Sequence, residues 1–363
     1  MTPIQKYYNN KYFYKIIGAF FPSSLVLFGL ANAREKKFLE TRKQLGRNVT
    51  YFQRKGKRMF LGTNTDETSV LYGGSEGFKV YDVKTLRPLI ERELPHEVTF
   101  INTYARSSLF IFTGPDKKTL TFWEDSKRKK LADIVFSRPV MNAVFSNKEI
   151  LVSTLEKVYI YSISDLGYLK SFGTTQNPYG SISSNSDRTE SVLAFPGLNQ
   201  GYVHVLKNGL SLYIKAHLST LRKIALNREG TLLATCSEKG TTIRVFDTKT
   251  GEKVANFQRG ATEAVINHIS WSKDSSVLCV SSSRGTTHIF SLEKKAESSL
   301  LGYLPGSLGN YATSLAPLSS TKFLHPKGIS VFCGETTKHF SSDGYVTEFG
   351  QECFEMNRLE GFE

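Results

Sequence analysis

The sequence predicts an all-β chain, a seven-bladed β-propeller of the WD-repeat type. Three observations lead there. One hairpin pattern recurs seven times. The recurrences are spaced by about 40–45 residues, the period of propeller blades. No 3.6-residue apolar periodicity competes over the same region.

The hairpins run in order as SVLYGGSEGFKVYD (69–82), SLFIFTGPDKKTLTFWED (108–125), EILVSTLEKVYIYS (149–162), SVLAFPGLNQGYVHVL (191–206), TLLATCSEKGTTIRVFD (231–247), SVLCVSSSRGTTHIF (276–290) and a weaker KHFSSDGYVTEF (338–349). In each, an apolar run with small residues meets a turn, then an alternating strand rich in β-branched and aromatic residues. Such a unit reads as two half-buried strands about a tight turn. The spacing leaves room for four strands per unit. No unit buries its faces alone, so the units stack around a common axis. A TIM barrel or doubly wound sheet requires helices between strands, and the pattern contains none. The propeller is expected over 51–363, after an N-terminal extension, 1–50.

The charge is strongly asymmetric. Lys and Arg number 47 against 33 Asp and Glu, a net +14. A field of that sign suits phosphate-bearing partners, nucleic acid or an anionic membrane, without choosing between them. No nucleic-acid-binding module is recognisable. The four cysteines, Cys236, Cys279, Cys333 and Cys353, have no C-x-x-C spacing. That argues against zinc, and Cys236 and Cys279 read as free thiols buried in strands, as in a reducing compartment. No metal, cofactor or catalytic residue is expected: nucleophile–base pairs and paired carboxylates are missing from the sequence pattern.

The extension has the parts of a secretory signal. Lys6, Lys11 and Lys15 precede an apolar run, 16–30, and Ala31-Asn32-Ala33 follows it. The run is short for a membrane span and Pro22 interrupts it. A membrane-touching extension or an unstructured leader are the other readings.

The fifth and sixth hairpins are the most alike. SEKGTTIRVF (237–246) aligns with SSRGTTHIF (282–290), and NFQRG (256–260) lies between them. Arg259 therefore stands at the seam of two near-identical turns that collect hydroxyls, a cation and open backbone N–H groups, the chemistry of phosphate recognition. Successive strand residues point opposite ways, so Gln258 and Arg259 address two different pockets.

The stretch IKAHLSTLRKIALNREGTLLATCSEKGTTIRVFDTKTGEKVANFQRG resembles the PROPPINs, seven-bladed propellers that bind phosphoinositides through a Phe-Arg-Arg-Gly motif. GSEGFKVYD, LEKVYIYSISDL, VLAFPG, HIFSL and SSDGYVTEF extend the likeness over about 58–350. The resemblance implies two headgroup pockets on the rim. The first would comprise His217, Ser237, Lys239 and Thr241, with Gln258 where the family has an arginine. The second would comprise Arg259, Ser282, Arg284, Thr286 and His288. A neutral Gln cannot grip a phosphate as a guanidinium does, which weakens the first pocket. Each residue also has a structural reading, turn punctuation for the Ser-x-Lys-Gly-Thr segments and a blade network for His217 and His288.

A long loop is expected at about 293–322. It opens with Lys294 and Lys295 and offers Leu300, Leu301, Tyr303, Leu304 and Leu308, an apolar tip suited to entering a bilayer. A linker or partner-binding loop is the alternative. The resemblance further implies phosphatidylinositol 3-phosphate or 3,5-bisphosphate as ligand and autophagy proteins as partners near the basic cluster 125–140 on blades 2 and 3. It also implies a monomer located in the cytoplasm, peripheral on phagophore, endosomal or vacuolar membranes. A propeller scaffold that binds only proteins is the competing function.

Overall fold

The computed structural model describes residues 59–187, 189–293, 316–323, 325, 327–350 and 354–362. They form seven four-stranded antiparallel sheets, each from strands consecutive in the chain. Blade 1 comprises β1 (Phe60–Thr63), β2 (Ser69–Gly74), β3 (Gly77–Asp82) and β4 (Pro88–Glu93). Blade 2 comprises β5 (Phe100–Thr103), β6 (Leu109–Thr113), β7 (Thr119–Glu124) and β8 (Lys129–Val135). Blade 3 comprises β9 (Asn142–Phe145), β10 (Glu149–Ser153), β11 (Lys157–Ser162) and β12 (Tyr168–Gly173). Blade 4 comprises β13 (Ser183–Ser184), β14 (Val192–Pro196), β15 (Tyr202–Lys207) and β16 (Leu210–Lys215). Blade 5 comprises β17 (Leu221–Leu226), β18 (Leu232–Ser237), β19 (Thr242–Asp247) and β20 (Lys253–Gln258). Blade 6 comprises β21 (Ile266–Trp271), β22 (Val277–Ser282), β23 (Thr286–Ser291) and β24 (Ser319–Lys322). Blade 7 comprises β25 (Gly328–Cys333), β26 (Thr336–Ser341), β27 (Tyr345–Phe349) and β28 (Phe354–Arg358).

The predicted hairpins are the second and third strands of each blade. The second strand, expected to be half-buried, is buried on both faces: β14 is buried at every position and β2 at all but its last. Blades stack face to face, so an inner strand meets a neighbour on either side and its sequence reads as a continuous apolar run. Outer strands such as β4 and β8 are mostly exposed and keep the alternation of one wet face. The core is accordingly a ring of layers between blades. Ile243, Val245 and Phe257 of blade 5 pack on Ile266, Leu278 and Phe290 of blade 6. Cys236 and Cys279 are buried free thiols, and burial pushes Cys236 up to about 12. The interface of blades 6 and 7 also carries a buried polar chain, Thr287 Oγ1 to Ser330 Oγ at 2.7 Å and Ser330 Oγ to His339 Nδ1 at 2.8 Å.

The turn after the first strand repeats one device. An Asn or Ser at its start accepts the backbone N–H that opens the second strand: Asn64 from Ser69, Asn185 from Val192, Asn227 from Leu232 and Ser272 from Val277, each at 2.9 Å. Local side-chain bonds of this kind specify turns.

The ring closes between blades 7 and 1 through side chains. Tyr72 and Tyr81 donate to the carbonyls of Ser341 and Glu360 at 3.0 and 2.8 Å, and Lys338 Nζ donates to the Lys84 carbonyl at 2.8 Å. Glu67, on the first turn of blade 1, reaches past blade 7 to blade 6. One carboxylate oxygen meets His268 Nε2 at 2.7 Å and the other accepts from Ser270 Oγ.

The loop expected at about 293–322 ends earlier, because Ser319–Lys322 form β24, paired with β23. The run Ser-Ser-Thr-Lys carries one β-branched residue, Thr321, and no aromatic or large apolar one, and its pairing edge decides its conformation. The extension 1–50, the remainder of that loop with Leu300, Leu301, Tyr303, Leu304 and Leu308, and the side chain of Cys353 lie outside the described residues.

Candidate anion-binding site

β20 ends at Gln258, opposite Thr242. The chain then leaves the sheet, and the N–H groups of Arg259 and Gly260 both point at the Thr241 carbonyl, at 2.8 and 3.4 Å. This turns Arg259 inward until it is 7% exposed. Its Nε donates to the Gly240 carbonyl at 2.5 Å and its Nη2 to the Thr262 carbonyl. Gly240 is required there. Its φ is 60°, and a Cβ would stand 2.0 Å from the Ala264 carbonyl oxygen. The glycine lets the β18–β19 turn press on the segment that carries Arg259.

Five predicted residues converge between blades 5 and 6. Ser282 Oγ lies 2.9 Å from Thr286 Oγ1, which lies 3.4 Å from His288 Nε2. Arg284 is exposed at the turn and its Nε donates to the Glu263 carbonyl at 3.1 Å. His288 is buried and its Nδ1 has no hydrogen-bond partner. Burial first, then the Arg259 cation, hold the His288 imidazole at about 4. Burial and the Arg284 charge likewise depress Arg259. Among the described residues neither arginine has an ion-pair partner. Two like charges beside two hydroxyls make a cluster whose repulsion an anion would relieve.

The first predicted pocket is assembled less completely. Lys239 is exposed and free of ion pairs among the described residues, and Ser237 and Gly240 fix its turn through a 3.0 Å backbone bond. The Gln258 amide is engaged by its own chain, donating to the Gly260 carbonyl at 2.7 Å. His217 is buried, bonded through Nε2 to Thr235 Oγ1 at 3.0 Å, and held neutral, near 3, by burial and then by Arg244. That geometry fastens the loop before blade 5 to β18.

Two cations were not singled out by sequence. Arg244 on β19 occupies the register position that His288 occupies on β23, opposite Thr235 and Val280 respectively. Its Nη1 donates to the Ala216 carbonyl at 2.6 Å and its Nε is buried without a partner. An arginine inside the alternating run TIRVF, on the face away from Ile243 and Val245, was the available signal. Lys322 ends β24 opposite Thr286, as Gln258 ends β20 opposite Thr242. The assignment of 319–322 to a loop hid it. The same pairing puts Thr242, one residue beyond Thr241, at the position of Thr286.

These features define a class: a seven-bladed propeller with a cationic, hydroxyl-bearing cluster where two blades meet. The PROPPIN family model matches residues 59–326, and the chain belongs to that family. It is similar to the human WD repeat domain phosphoinositide-interacting protein 1, 31% identical over 280 residues, 72% of this chain and 62% of the relative. It is also similar to Autophagy-related protein 18e of Arabidopsis thaliana, 29% identical over 262 residues, 68% of each chain. Among solved structures, Kluyveromyces lactis Hsv2 superposes with a TM-score of 0.69 at 20% identity, covering 84% of this chain and all of that one. That last likeness speaks for the fold.

Proposed function

We propose that this chain is a phosphoinositide-binding effector, recruited to membranes in autophagy or endosomal traffic, and acts by binding rather than catalysis. The observation that carries the reading is the cluster of Arg259, Arg284 and His288: among the described residues neither guanidinium has a carboxylate partner and the His288 Nδ1 has no hydrogen-bond partner. A phosphomonoester supplies acceptors for both guanidinium groups, and Ser282 and Thr286 supply hydroxyls around it. The ligand is phosphatidylinositol 3-phosphate or the 3,5-bisphosphate. The first pocket, with Ser237, Lys239, Thr241, His217, Gln258 and the cation of Arg244, is the weaker of the two. The names of the human and plant relatives support lipid and autophagy contexts.

In the same reading, 51–363 is the propeller and 1–50 a separate extension. The apolar side chains of Leu300, Leu301, Tyr303, Leu304 and Leu308 enter the bilayer. Autophagy proteins dock on blades 2 and 3, where β8 presents Lys129, Lys130 and an exposed Leu131. The protein works as a cytoplasmic monomer on phagophore, endosomal or vacuolar surfaces.

One observation favours a second reading, a scaffold that binds only proteins: the residue at the family's first arginine is a Gln bonded to its own backbone. Flotation with vesicles carrying each phosphoinositide separates the two. Selective co-flotation supports the effector. Failure on every lipid, with the chain folded, leaves the scaffold.

A further inference from the structure

Among the large apolar side chains of the described residues that lie on turns and loops rather than strands, Leu218 is the most exposed, at 85%, and Leu198 is next, at 71%. Neither sits on slack chain. Leu218 lies in the loop between β16 and β17, whose Ala216 and His217 N–H groups both reach the Gly201 carbonyl at 3.0 Å. The Ala216 carbonyl holds Arg244, the His217 ring holds Thr235, and the Thr220 carbonyl accepts from Glu238 N at 2.9 Å. Leu198 lies on the β14–β15 turn that ends at Gly201, and Gln200 of that turn bonds Thr220 Oγ1 at 3.4 Å. Gly201 has a φ of 77°, and a Cβ there would meet the His217 carbonyl oxygen at 2.0 Å. A tied pair of turns thus holds two leucines largely out in water, Leu198 with one Cδ near Gly173 at the end of β12.

The charges around them select the occupant. Lys215 precedes the loop and Lys239 lies on the turn joined to it, both exposed and without ion-pair partners among the described residues; Glu238 is the acid beside them. An apolar tip flanked by lysines is the composition of a surface that enters the headgroup region of a bilayer, apolar part inward and ammonium groups at the phosphates. The loop also carries the carbonyl that positions Arg244, so it borders the first pocket.

We infer that Leu218 and Leu198 form an interfacial anchor that enters an anionic bilayer beside the first pocket. The inference rests on the phosphoinositide reading above and assigns a part of the chain that reading does not use. The test uses the full chain with Leu218→Trp and vesicles of phosphatidylcholine, part of it brominated in the acyl chains, with phosphatidylinositol 3-phosphate. The natural Trp123 and Trp271, both within blades, serve as the interior control in the unmutated protein. The emission of Leu218→Trp is expected to move to shorter wavelength on binding and to be quenched by bromine, with little change in the control. Leu198→Ser with Leu218→Ser is expected to leave vesicles about tenfold faster or more, with unchanged affinity for a soluble inositol phosphate. If Leu218→Trp floats with vesicles and its emission stays that of the free protein, the anchor is overturned while the phosphoinositide reading stands. If the unmutated chain does not float at all, both fall.

Discussion

Arg259 makes two bonds to backbone carbonyls while its charge stays uncompensated among the described residues, so its removal has separable consequences. Arg259→Ala is expected to weaken headgroup binding about ten- to a hundredfold, the range for loss of a charge-assisted contact. Arg259→Lys is expected to restore little, since an ammonium cannot reach the Gly240 and Thr262 carbonyls and a phosphate together. Calorimetry with a soluble inositol phosphate reads both, and wild-type affinity in a folded Arg259→Ala protein removes the residue from the site. Gln258→Arg adds a cation opposite Thr242, beside Lys239 and Arg244. It is expected to strengthen vesicle binding more than soluble headgroup binding, because a second engaged site acts through effective concentration. Equal vesicle affinity for the two proteins would mean that the first pocket holds no headgroup even when recharged.

At the scale of the element, the β18–β19 and β22–β23 turns determine whether the site exists. Gly240→Ala places a Cβ against the Ala264 carbonyl at a left-handed φ. The β18–β19 turn must then withdraw from the segment carrying Arg259. The expected result is destabilisation of more than about 1 kcal/mol, with headgroup binding lowered as well. Urea unfolding and calorimetry on one preparation check it, and unchanged stability would show that the turn is not under this constraint. The hairpins were legible in the sequence because turn glycines and alternating strands are local signals. The convergence of Arg259, Ser282, Arg284, Thr286 and His288 was legible as well, because two consecutive hairpins repeat one motif. Arg244 was not, since its place in the alternating run TIRVF gives only its face, and its role depends on its register opposite Thr235. β24 was not either: Ser319–Lys322 is a strand only because β23 offers it an edge. The double burial of the second strands followed from blade stacking, a tertiary fact that a hairpin pattern alone does not carry.

Over the whole molecule, buried histidines link stability to pH. His217 is depressed to about 3 and His288 and His339 to about 4, in each case chiefly by burial. Their unfolded values lie near 6.5, so below that pH the unfolded chain binds more protons than the folded one. Stability contributed by the neutral rings is therefore present above about pH 6.5 and is lost as the pH falls toward 4. The loss is at most about 1.4 kcal/mol per pH unit for each ring. Urea unfolding from pH 7 to 4.5 is expected to show a falling midpoint, and His217→Gln, which keeps a partner for Thr235, a shallower fall. A midpoint independent of pH would mean that these rings are hydrated.

The closure of the ring has a mechanical consequence. Each blade is made of consecutive strands, so within the described residues the circle resembles a bracelet whose two end links meet at a clasp. The clasp is Tyr72, Tyr81 and Lys338 across one joint, with Glu67 hooked over the last link onto His268 and Ser270. A bracelet opens at its clasp. Blade 7 should therefore be the first unit to exchange its amide hydrogens, as one block, and Glu67→Ala should hasten that exchange while sparing blades 2 to 5. The seam between blades 5 and 6 lies two joints from the clasp, so the molecule can loosen there while its cationic cluster keeps its shape.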